Sequence, residues 1–408
     1  MSKKILVITQ NFYPEIGSAG NRMKNIFQLL IDQGYDVKVI TTEPTYPNKN
    51  IYEDQAFWDD DSMNQHTEKI IRVKVKNRKY SRSIINRLFY YIEMAIKMIF
   101  YILFNRGNYD YVFVTSPPIF IAMVGLLASV RYRCKLILDI RDLWPESLKG
   151  VGVFNYPFII YIFKQIELIL YKKSTQIIVN SRGFILYMQN AGISLKKITY
   201  IPNAARESEV VSKDEETLGF NVVYAGNIGL AQDANVLMNL AYELNKHEIN
   251  LSIISYGMKR KELVDFVNEN KLSNVKIIKP KTRKECLNII SQHQVGIVTL
   301  NESEVFKTVL PGKVIDYMTC RVPIVAAVSG NTKDLIEKER VGFVSTTRDA
   351  SELLEFILTL YKSPNLYNEI CSNCTRFINE YFLWEKNCHD LINIIENKNF
   401  KLEKAEVF

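Results

Sequence analysis

Short apolar runs alternate with longer amphipathic segments along most of the chain. The first run covers residues 4–9 (KILVIT), a periodic segment follows at 25–33, and a second apolar run lies at 37–41. Runs of about five apolar residues are typical of buried parallel strands, and apolar positions three and four apart are typical of helices. The repeated strand–helix–strand order predicts an α/β protein with a doubly wound parallel sheet.

The alternation is interrupted once and then restarts, which indicates two domains. Residues 205–219 (ARESEVVSKDEETLG) are polar and charged, and a new apolar run (FNVVYA) begins at 220. We expect an N-terminal domain at 1–204, a linker at 205–219, a C-terminal domain at 220–380 and a helical segment at 381–408 that returns to the first domain. Two such domains leave a cleft between them, which is the usual place for a ligand.

Residues 306–330 (FKTVLPGKVIDYMTCRVPIVAAVSG) predict a loop, a short helix and a buried strand. Pro311 and Gly312 break the chain, so a helix begins there and presents free N–H groups at its positive end. With Lys307 and Lys313 beside it, this helix start suits a pyrophosphate, and Asp316 could accept a hydrogen bond from a ribose hydroxyl. The alternative is an ordinary helix–strand unit with solvated lysines.

Two further segments place polar residues after predicted strands. Residues 10–22 (QNFYPEIGSAGNR) form a loop with Gly17 and Gly20 as G-x-x-G, which is not the G-x-G-x-x-G dinucleotide fingerprint. Residues 139–152 (DIRDLWPESLKGVG) gather several charges and a tryptophan. Asp142 and Glu146 there either orient a reacting hydroxyl or cap a helix beside Pro145.

Residues 84–104 form the most apolar segment, long enough to span a bilayer. Arg87, Glu93 and Lys97 lie inside it and argue against spanning. We expect this helix to dock on an anionic inner leaflet, and the alternative is a buried helix of the first domain. Clustered cations favour docking: Lys74, Lys76, Arg78, Lys79 and Arg82 precede the segment, and Arg106 follows it.

The whole-chain charge limits the partners. The 408 residues carry a net charge of +8, and the N-terminus runs straight into a strand without the apolar region of a signal peptide. This moderate charge fits an anionic small molecule or an anionic membrane surface, and no nucleic-acid motif accompanies it. We therefore expect a cytoplasmic protein at the inner face of the membrane that binds no nucleic acid.

Five segments in order resemble glycosyltransferase family 4, which has the GT-B fold of two Rossmann-like domains facing a central cleft. They are QNFYPEIGSAGNR, DIRDLWPESL, YAGNIG at 224–229, LPGKVIDYMTCRVPIVA at 310–326 and YFLWEKNCHDLINIIE at 381–396. DIRDLWPESL resembles a segment of capsule, O-antigen and exopolysaccharide transferases, including N-acetyl-L-fucosamine transferases. The resemblance covers nearly the whole chain and implies that the N-terminal domain binds the acceptor and the C-terminal domain the nucleotide sugar.

The same resemblance assigns candidate site residues. Many relatives carry two Glu residues eight positions apart at the donor site, where this chain has Thr308 and Asp316. Asp316 keeps a carboxylate for the ribose, whereas Thr308 cannot act as one toward the sugar. The expected donor-binding residues are Gly17, Gly226, Asn227, Gly229, Lys307, Thr308, Leu310, Gly312, Lys313 and Asp316, the acceptor-binding residues are Asn11, Tyr13 and Trp144, and the catalytic residues are Asp142 and Glu146.

The implied activity is retaining transfer of a sugar to a lipid-linked saccharide in surface polysaccharide synthesis, as a hexosyltransferase. The donor would be a nucleotide-diphosphate sugar linked to UDP, and an N-acetylated deoxy sugar is one candidate for the sugar. Neither a metal nor another cofactor is expected, because cations of the protein would stabilise the departing diphosphate. Two alternatives stay open at this point: a nucleotide-sugar epimerase of the same architecture, and a non-catalytic sugar-binding subunit.

Overall fold

The structure, a computed structural model, describes residues 2–76, 84–152, 156–211 and 219–397. These residues divide into two units, one of residues 2–202 and 388–397 and the other of residues 203–387. Three of the cations expected to precede the apolar helix (Arg78, Lys79 and Arg82), most of the predicted linker (212–218) and the last residues (398–408) lie outside the described residues.

A seven-stranded sheet forms the centre of the first unit. Its strands run in the order β3-β2-β1-β4-β5-β6-β7, and every neighbouring pair is parallel. The elements are β1 Lys4–Ile8, α1 Ser18–Asp32, β2 Asp36–Thr42, α2 Asp61–Asn64, β3 Ile70–Val73, α3 Ile84–Phe104, β4 Tyr111–Ser116, α4 Ile119–Tyr132, β5 Lys135–Ile140, α5 Glu146–Gly150, α6 Pro157–Lys173, β6 Gln176–Val179, α7 Gly183–Asn190 and β7 Ile198–Tyr200.

A six-stranded parallel sheet in the order β10-β9-β8-β11-β12-β13 forms the second unit. Two doubly wound domains, as predicted, are therefore confirmed. The elements are β8 Asn221–Asn227, α8 Ala234–Lys246, β9 Asn250–Tyr256, α9 Arg260–Glu269, β10 Val275–Ile278, α10 Arg283–Ser291, β11 Val295–Thr299, α11 Gly312–Thr319, β12 Ile324–Ala327, α12 Asn331–Lys338, β13 Gly342–Val344, α13 Ala350–Lys362, α14 Pro364–Tyr381 and α15 Trp384–Ile395.

The strand order reverses once in each sheet, between β1 and β4 in the first and between β8 and β11 in the second. Crossovers between parallel strands are right-handed, so the helices on the two sides of such a reversal lie on opposite faces of the sheet. The loops at the carboxyl ends of these strands then diverge and leave a crevice, where open α/β sheets bind ligands. Each unit therefore has one favoured edge for a site.

The first helix begins earlier than the sequence pattern predicts. The loop was expected to last through Arg22, but α1 starts at Ser18, with Gly17 as its N-cap at a φ of 104°. A positive φ is open to glycine and strained for other residues, so Gly17 permits the turn into the helix. Gly20 consequently lies inside the helix, where its missing side chain leaves room for the backbone of Glu15.

The start of the predicted linker is bonded to the second unit, and the end of the last helix is bonded to the first. Ala205 pairs with Leu383 in an isolated parallel bridge, so the described start of the expected linker is held by the second unit. At the end of α15, the Ile395 carbonyl accepts hydrogen bonds from Lys3 Nζ at 2.6 Å and from the Tyr111 hydroxyl at 2.8 Å. The chain therefore leaves the first unit after Pro202 and re-enters it at Cys388.

Candidate functional sites

Lys313 lies in the first turn of α11, which follows β11 in the second unit. Its Nζ atom is buried without a hydrogen-bond partner among the described residues and lies 3.6 Å from the centroid of the Tyr224 ring. Gly226 borders this side chain, and its φ of 120° is a backbone conformation that favours glycine. Burial lowers the pKa of Lys313 to about 7, and Asp316 partly offsets that effect. The Tyr224 ring thus holds a buried cationic side chain whose Nζ atom is suited to an anion.

Three more polar side chains are buried at the same edge of the sheet. Asn227 Oδ1, Ser255 Oγ and Thr299 Oγ1 have no hydrogen-bond partner among the described residues. They stand near the carboxyl ends of β8, β9 and β11, the strands around the reversal. Buried polar atoms are nearly always bonded in folded proteins, so a cluster of unbonded ones at a crevice favours a polar ligand.

The start of α11 adds backbone donors to this cluster. Gly312 is the first helical residue, and the N-cap Pro311 makes no side-chain hydrogen bond to the following turn. The first N–H groups of a helix have no partner within the helix, and the dipole is positive at this end. Leu310, also assigned to the donor site, is buried and packs in the core of the second unit. Lys313 and the first turn of α11 together suit a diphosphate.

Asp316, one turn further along α11, is oriented by two other charged residues. Its Oδ1 atom accepts a hydrogen bond from Arg283 Nη1 at 2.9 Å. Arg283 in turn donates to both carboxylate oxygens of Glu209, from Nε at 2.6 Å and from Nη2 at 2.9 Å. Such two-pronged guanidinium–carboxylate bonds fix orientation as well as charge. The carboxylate of Asp316 is therefore held in a defined direction.

Three of the expected donor-binding residues are bonded to their sequence neighbours. The Gly229 amide, expected to contact phosphate, donates to Gln232 Oε1 at 2.9 Å. Lys307 Nζ pairs with Glu304 at 2.6 Å, and the Thr308 hydroxyl donates to the Val305 carbonyl at 2.6 Å. The Gly229 amide and the Thr308 hydroxyl thus serve local turns. Lys313 is the lysine that the fold buries.

In the first unit, the loop after β1 is braced from inside by Glu15. Its Oε1 atom accepts from the amides of Thr45 and Tyr46, both at 2.8 Å, and its Oε2 atom accepts from Asn11 Nδ2 at 2.6 Å. Asn11, expected to bind the acceptor, is half-buried and held by this carboxylate. The loop therefore has a defined shape at the crevice between β1 and β4.

Tyr13, the second residue expected to bind the acceptor, lies in the same loop and is largely buried. Its side chain is buried and contacts Trp58 edge to face, and Arg72 donates to its backbone carbonyl at 2.6 Å. The phenol pKa is raised because burial disfavours its ionised form. The structure thus shows the Tyr13 side chain packed against Trp58, and its expected contact with the acceptor stays a prediction.

Asp142 follows β5 at the carboxyl edge of the same sheet. Burial raises the pKa of its carboxyl to about 6, against the opposing effects of the Ser147 hydroxyl, the Leu143 amide and Arg141. The N-cap of α5 is Pro145, and no side chain caps this helix. Asp142 is therefore not the N-cap of α5. Burial makes its ionised form less stable, and helix capping does not account for a carboxylate at this position.

The two neighbours of Asp142 that were assigned roles are bonded elsewhere. Glu146 pairs with Lys164 at 3.3 Å, and Lys164 also contacts Glu167 at 3.1 Å. Trp144, expected to stack on a sugar, packs between Tyr91 and Phe163, at ring distances of 6.2 and 5.8 Å. Of the two carboxylates, Glu146 forms an ion pair and Asp142 forms none with the described residues. The roles expected for Glu146 and Trp144 stay predictions.

Two family matches cover most of the chain. Residues 17–204 match the family described as "Glycosyl transferase 4-like domain", and residues 219–363 match "Glycosyl transferases group 1". The chain carries both domains of a glycosyltransferase. The two matches correspond to the two parallel sheets, and the predicted GT-B fold class is confirmed.

Relatives and solved structures agree with this assignment. WcaI of Escherichia coli K12, described as a colanic acid biosynthesis glycosyl transferase, is 22% identical over 288 residues, which are 67% of this chain and 70% of that protein. The structure of Anabaena HepE with UDP and glucose matches at a TM-score of 0.71 and 16% identity, over 97% of this chain and 100% of that one. WaaG, a glycosyltransferase involved in lipopolysaccharide biosynthesis, matches at a TM-score of 0.64 and 12% identity, over 96% and 99%.

The contact of Arg283 with Asp316 in the group 1 domain was missed by sequence reasoning, although one signal pointed to it. Arg283 is the first residue of α10, where a cation opposes the helix dipole. A charge in that unfavourable position suggests a compensating carboxylate. Which carboxylate it would contact depends on the packing of α10 against α11, which local pattern does not reveal.

Neither a metal cluster nor a spanning helix is found in the described ranges. Among those residues, no group of three or more His, Cys, Asp or Glu side chains is arranged to hold a metal ion. In the same part of the chain, no helix combines the length and the apolar character needed to cross a membrane.

Proposed function

We propose that this glycosyltransferase is a retaining hexosyltransferase that moves a sugar from a UDP-linked donor to a lipid-linked saccharide in surface polysaccharide synthesis. The observation that carries the proposal is the buried Lys313 ammonium group, which has no bonded partner beside the first turn of α11. A diphosphate supplies the negative charge that this position lacks. The bound UDP in the Anabaena structure and the colanic acid relative support the donor class and the pathway type.

In the proposed reaction, an acceptor hydroxyl oxygen bonds to the anomeric carbon on the face from which the diphosphate leaves. The bond between that carbon and the phosphate oxygen breaks, and the departing phosphate takes the acceptor proton. Negative charge grows on the diphosphate, where Lys313 and the α11 amides stabilise it. Asp142 orients the acceptor hydroxyl by accepting a hydrogen bond from it. Lys313 and these amides take the place of the divalent ion that metal-dependent transferases use.

We also propose that the protein works at the cytoplasmic face of the membrane as a peripheral protein. A lipid-linked acceptor stays in the bilayer, so the 4-like domain has to reach it there. Support comes from α3, which has apolar residues on both its buried and its exposed sides. The exposed side suits the interfacial region of a bilayer, and the cations Lys74, Lys76 and Arg106 flank the helix in sequence.

The test is product formation from a panel of nucleotide sugars, including UDP-linked N-acetyl-L-fucosamine, with and without a polyprenyl-diphosphate saccharide. We expect a lengthened lipid-linked product that depends on the acceptor and survives EDTA. Interconverted sugar without acceptor would indicate an epimerase, and donor binding without any product would indicate a non-catalytic subunit. Activity that EDTA removes and magnesium restores would contradict the metal-independent mechanism.

A further inference from the structure

The exposed apolar side chains of the 4-like domain are concentrated on three helices, α3, α4 and α6. Phe104 on α3 is 80% exposed, Val130 on α4 is 68% exposed and Phe158 on α6 is 74% exposed. Single exposed apolar residues are normal on soluble proteins, whereas a contiguous apolar surface marks an interaction site. The exposed members are Phe89, Ile92, Ile96, Phe100, Leu103 and Phe104 on α3, Met123, Leu127 and Val130 on α4, and Phe158, Tyr161, Ile162 and Ile169 on α6.

The sheet topology explains why these three helices are neighbours. Each one connects a strand to a partner further toward the β7 side of the sheet: β3 to β4, β4 to β5, and β5 to β6. Right-handed crossovers in one direction place their helices on one face of the sheet. The order along that face is α3, α4, α6, and ring contacts join them. Tyr91 stacks on Phe120 at 6.3 Å, and Phe120 meets Phe163 at 5.9 Å.

The helix α3 is apolar on its exposed side as well as on its buried side. Tyr90, Met94, Met98 and Ile102 recur every four residues and are buried against the domain. The exposed apolar residues lie on the opposite side of the same helix. A helix that only covered a sheet would be polar on its outer side.

The charges around these helices favour a bilayer with anionic headgroups over a neutral partner. Cations are exposed near the end of each helix, and the acidic side chains are already paired: Glu93 bonds Lys97 at 2.8 Å, and Glu167 bonds Lys164 at 3.1 Å. Apolar residues enter the acyl boundary while cations meet the phosphates. The exposed cations are Arg106 after α3, Arg131 and Arg133 at the end of α4, and Lys172 and Lys173 at the end of α6.

We infer that α3, α4 and α6 together form one membrane-docking face, so that the domain lies with this face of its sheet toward the bilayer. This inference deepens the proposed membrane contact, which needs α3 alone. It also gives a reason for the packing of Trp144, because Tyr91 of α3 and Phe163 of α6 hold the segment that carries Asp142. Docking through three helices thereby fixes the height of Asp142 relative to a lipid-linked acceptor.

The test is sedimentation of the full-length protein with vesicles of phosphatidylcholine alone or mixed with phosphatidylglycerol. The variants are Phe100→Ser/Phe104→Ser on α3, Met123→Ser/Val130→Ser on α4 and Phe158→Ser/Tyr161→Ser on α6. Removing two apolar contacts should weaken partitioning by about tenfold or more in each case. Tyr242→Ser/Met258→Ser, at exposed positions of the group 1 domain, is the matched control and should bind like the wild type.

Loss of binding in the α3 variant with wild-type binding in the α4 and α6 variants would overturn the three-helix face and leave the proposed function standing. A wild type that stays in the supernatant with anionic vesicles would contradict both membrane proposals. Formation of a dimer that these variants dissociate, without vesicle binding, would assign the face to a second copy. Transfer to a short water-soluble acceptor, which should be unchanged in all variants, reports separately on the catalytic proposal and on folding.

Discussion

The Nζ atom of Lys313 lies 3.6 Å from the centroid of the Tyr224 ring, buried in the group 1 domain. An aromatic face attracts a cation, but it replaces only part of the hydration that the ammonium group loses on burial. The pKa of about 7 follows from that deficit. An anion arriving at this position would restore the full charge, so the site should couple ligand binding to proton uptake.

The first prediction uses this coupling. A diphosphate beside Lys313 should raise the pKa of that side chain. At a pH between the pKa values of the free and the bound protein, the protein should therefore take up a proton when it binds UDP. The affinity for UDP should therefore fall as the pH rises from 7 to 9, by up to about tenfold per pH unit. Calorimetry in two buffers of different ionisation enthalpy measures the uptake directly.

Lys313→Arg is the matched control for that experiment, because arginine stays charged at these pH values. The variant should bind UDP with little proton uptake and a flatter pH dependence. A wild type that binds UDP without taking up protons near pH 8 would contradict the placement of the diphosphate beside Lys313.

A second prediction concerns Arg283, whose guanidinium orients Asp316. Arg283→Lys keeps a cation but loses the two-pronged bond to Glu209. If Asp316 accepts from the ribose, UDP should bind about tenfold more weakly to this variant, in line with one lost charge-assisted hydrogen bond. A dideoxyribose analogue of UDP should bind to the variant and to the wild type with similar affinity, because it lacks the hydroxyls that Asp316 would contact.

Arg376→Lys provides the comparison, since Arg376 pairs with Glu339 at 3.1 Å on the surface of the same domain. The Arg376→Lys variant should bind UDP and its dideoxy analogue with wild-type affinity. Equal weakening of the two ligands by Arg283→Lys would mean that Arg283 supports the fold rather than the contact with ribose.

The third prediction concerns Asp142. Its pKa of about 6 in the folded protein is above the ordinary 3.8, so the folded state binds the proton more tightly between those values. Stability is therefore lost as the pH rises through that window, and the loss persists above it. Asp142→Asn should raise the melting temperature at pH 7.5 by a few degrees and make little difference near pH 4.

The same variant should lower sugar transfer more than tenfold, while wild-type transfer should decline as the pH falls through about 6. Transfer rates and melting curves across this pH range separate the two effects. A variant that transfers sugar at the wild-type rate at every pH would show that Asp142 has no catalytic role.

A fourth prediction concerns stability alone. Arg22 and Asp139 form an ion pair at 2.7 Å in which both side chains are 0% exposed, and Arg22 also donates to the Pro202 carbonyl at 3.1 Å. Asp139→Asn leaves the guanidinium charge buried without its counterion. The free energy of unfolding of this variant, measured with denaturant, should be about 3–5 kcal/mol lower than that of the wild type.

The double variant Arg22→Met/Asp139→Leu should recover much of that loss, because it removes both charges and keeps the volume. If Asp139→Asn unfolds at the wild-type denaturant concentration, the pair is not a major support of the 4-like domain.

Local patterns predicted the elements well where periodicity was strong. The bounds of α3, 84–104, coincide with the most apolar segment of the sequence. The start of α1 was missed because Ser18, Gly20 and Asn21 are weak helix formers, so the helical state of this turn depends on the turn at Gly17 and on packing.

The candidate site was predictable only in part. The start of α11 and Lys313 follow from a local break and a nearby lysine. The bond between Arg283 and Asp316 joins residues 33 positions apart, and the contacts of Trp144 depend on how α3 and α6 pack. Such long-range pairings follow from the arrangement of helices on the sheet, which single-sequence periodicity does not specify.

The central claim is that the donor diphosphate binds at the start of α11, and a crystal structure with bound UDP tests it most directly. We predict phosphate oxygens within about 3 Å of Lys313 Nζ and of the first-turn amides of α11, the ordinary range for such hydrogen bonds. The ribose should lie next to Asp316. A diphosphate bound away from α11, with Lys313 still lacking a partner over the Tyr224 ring, would contradict the account.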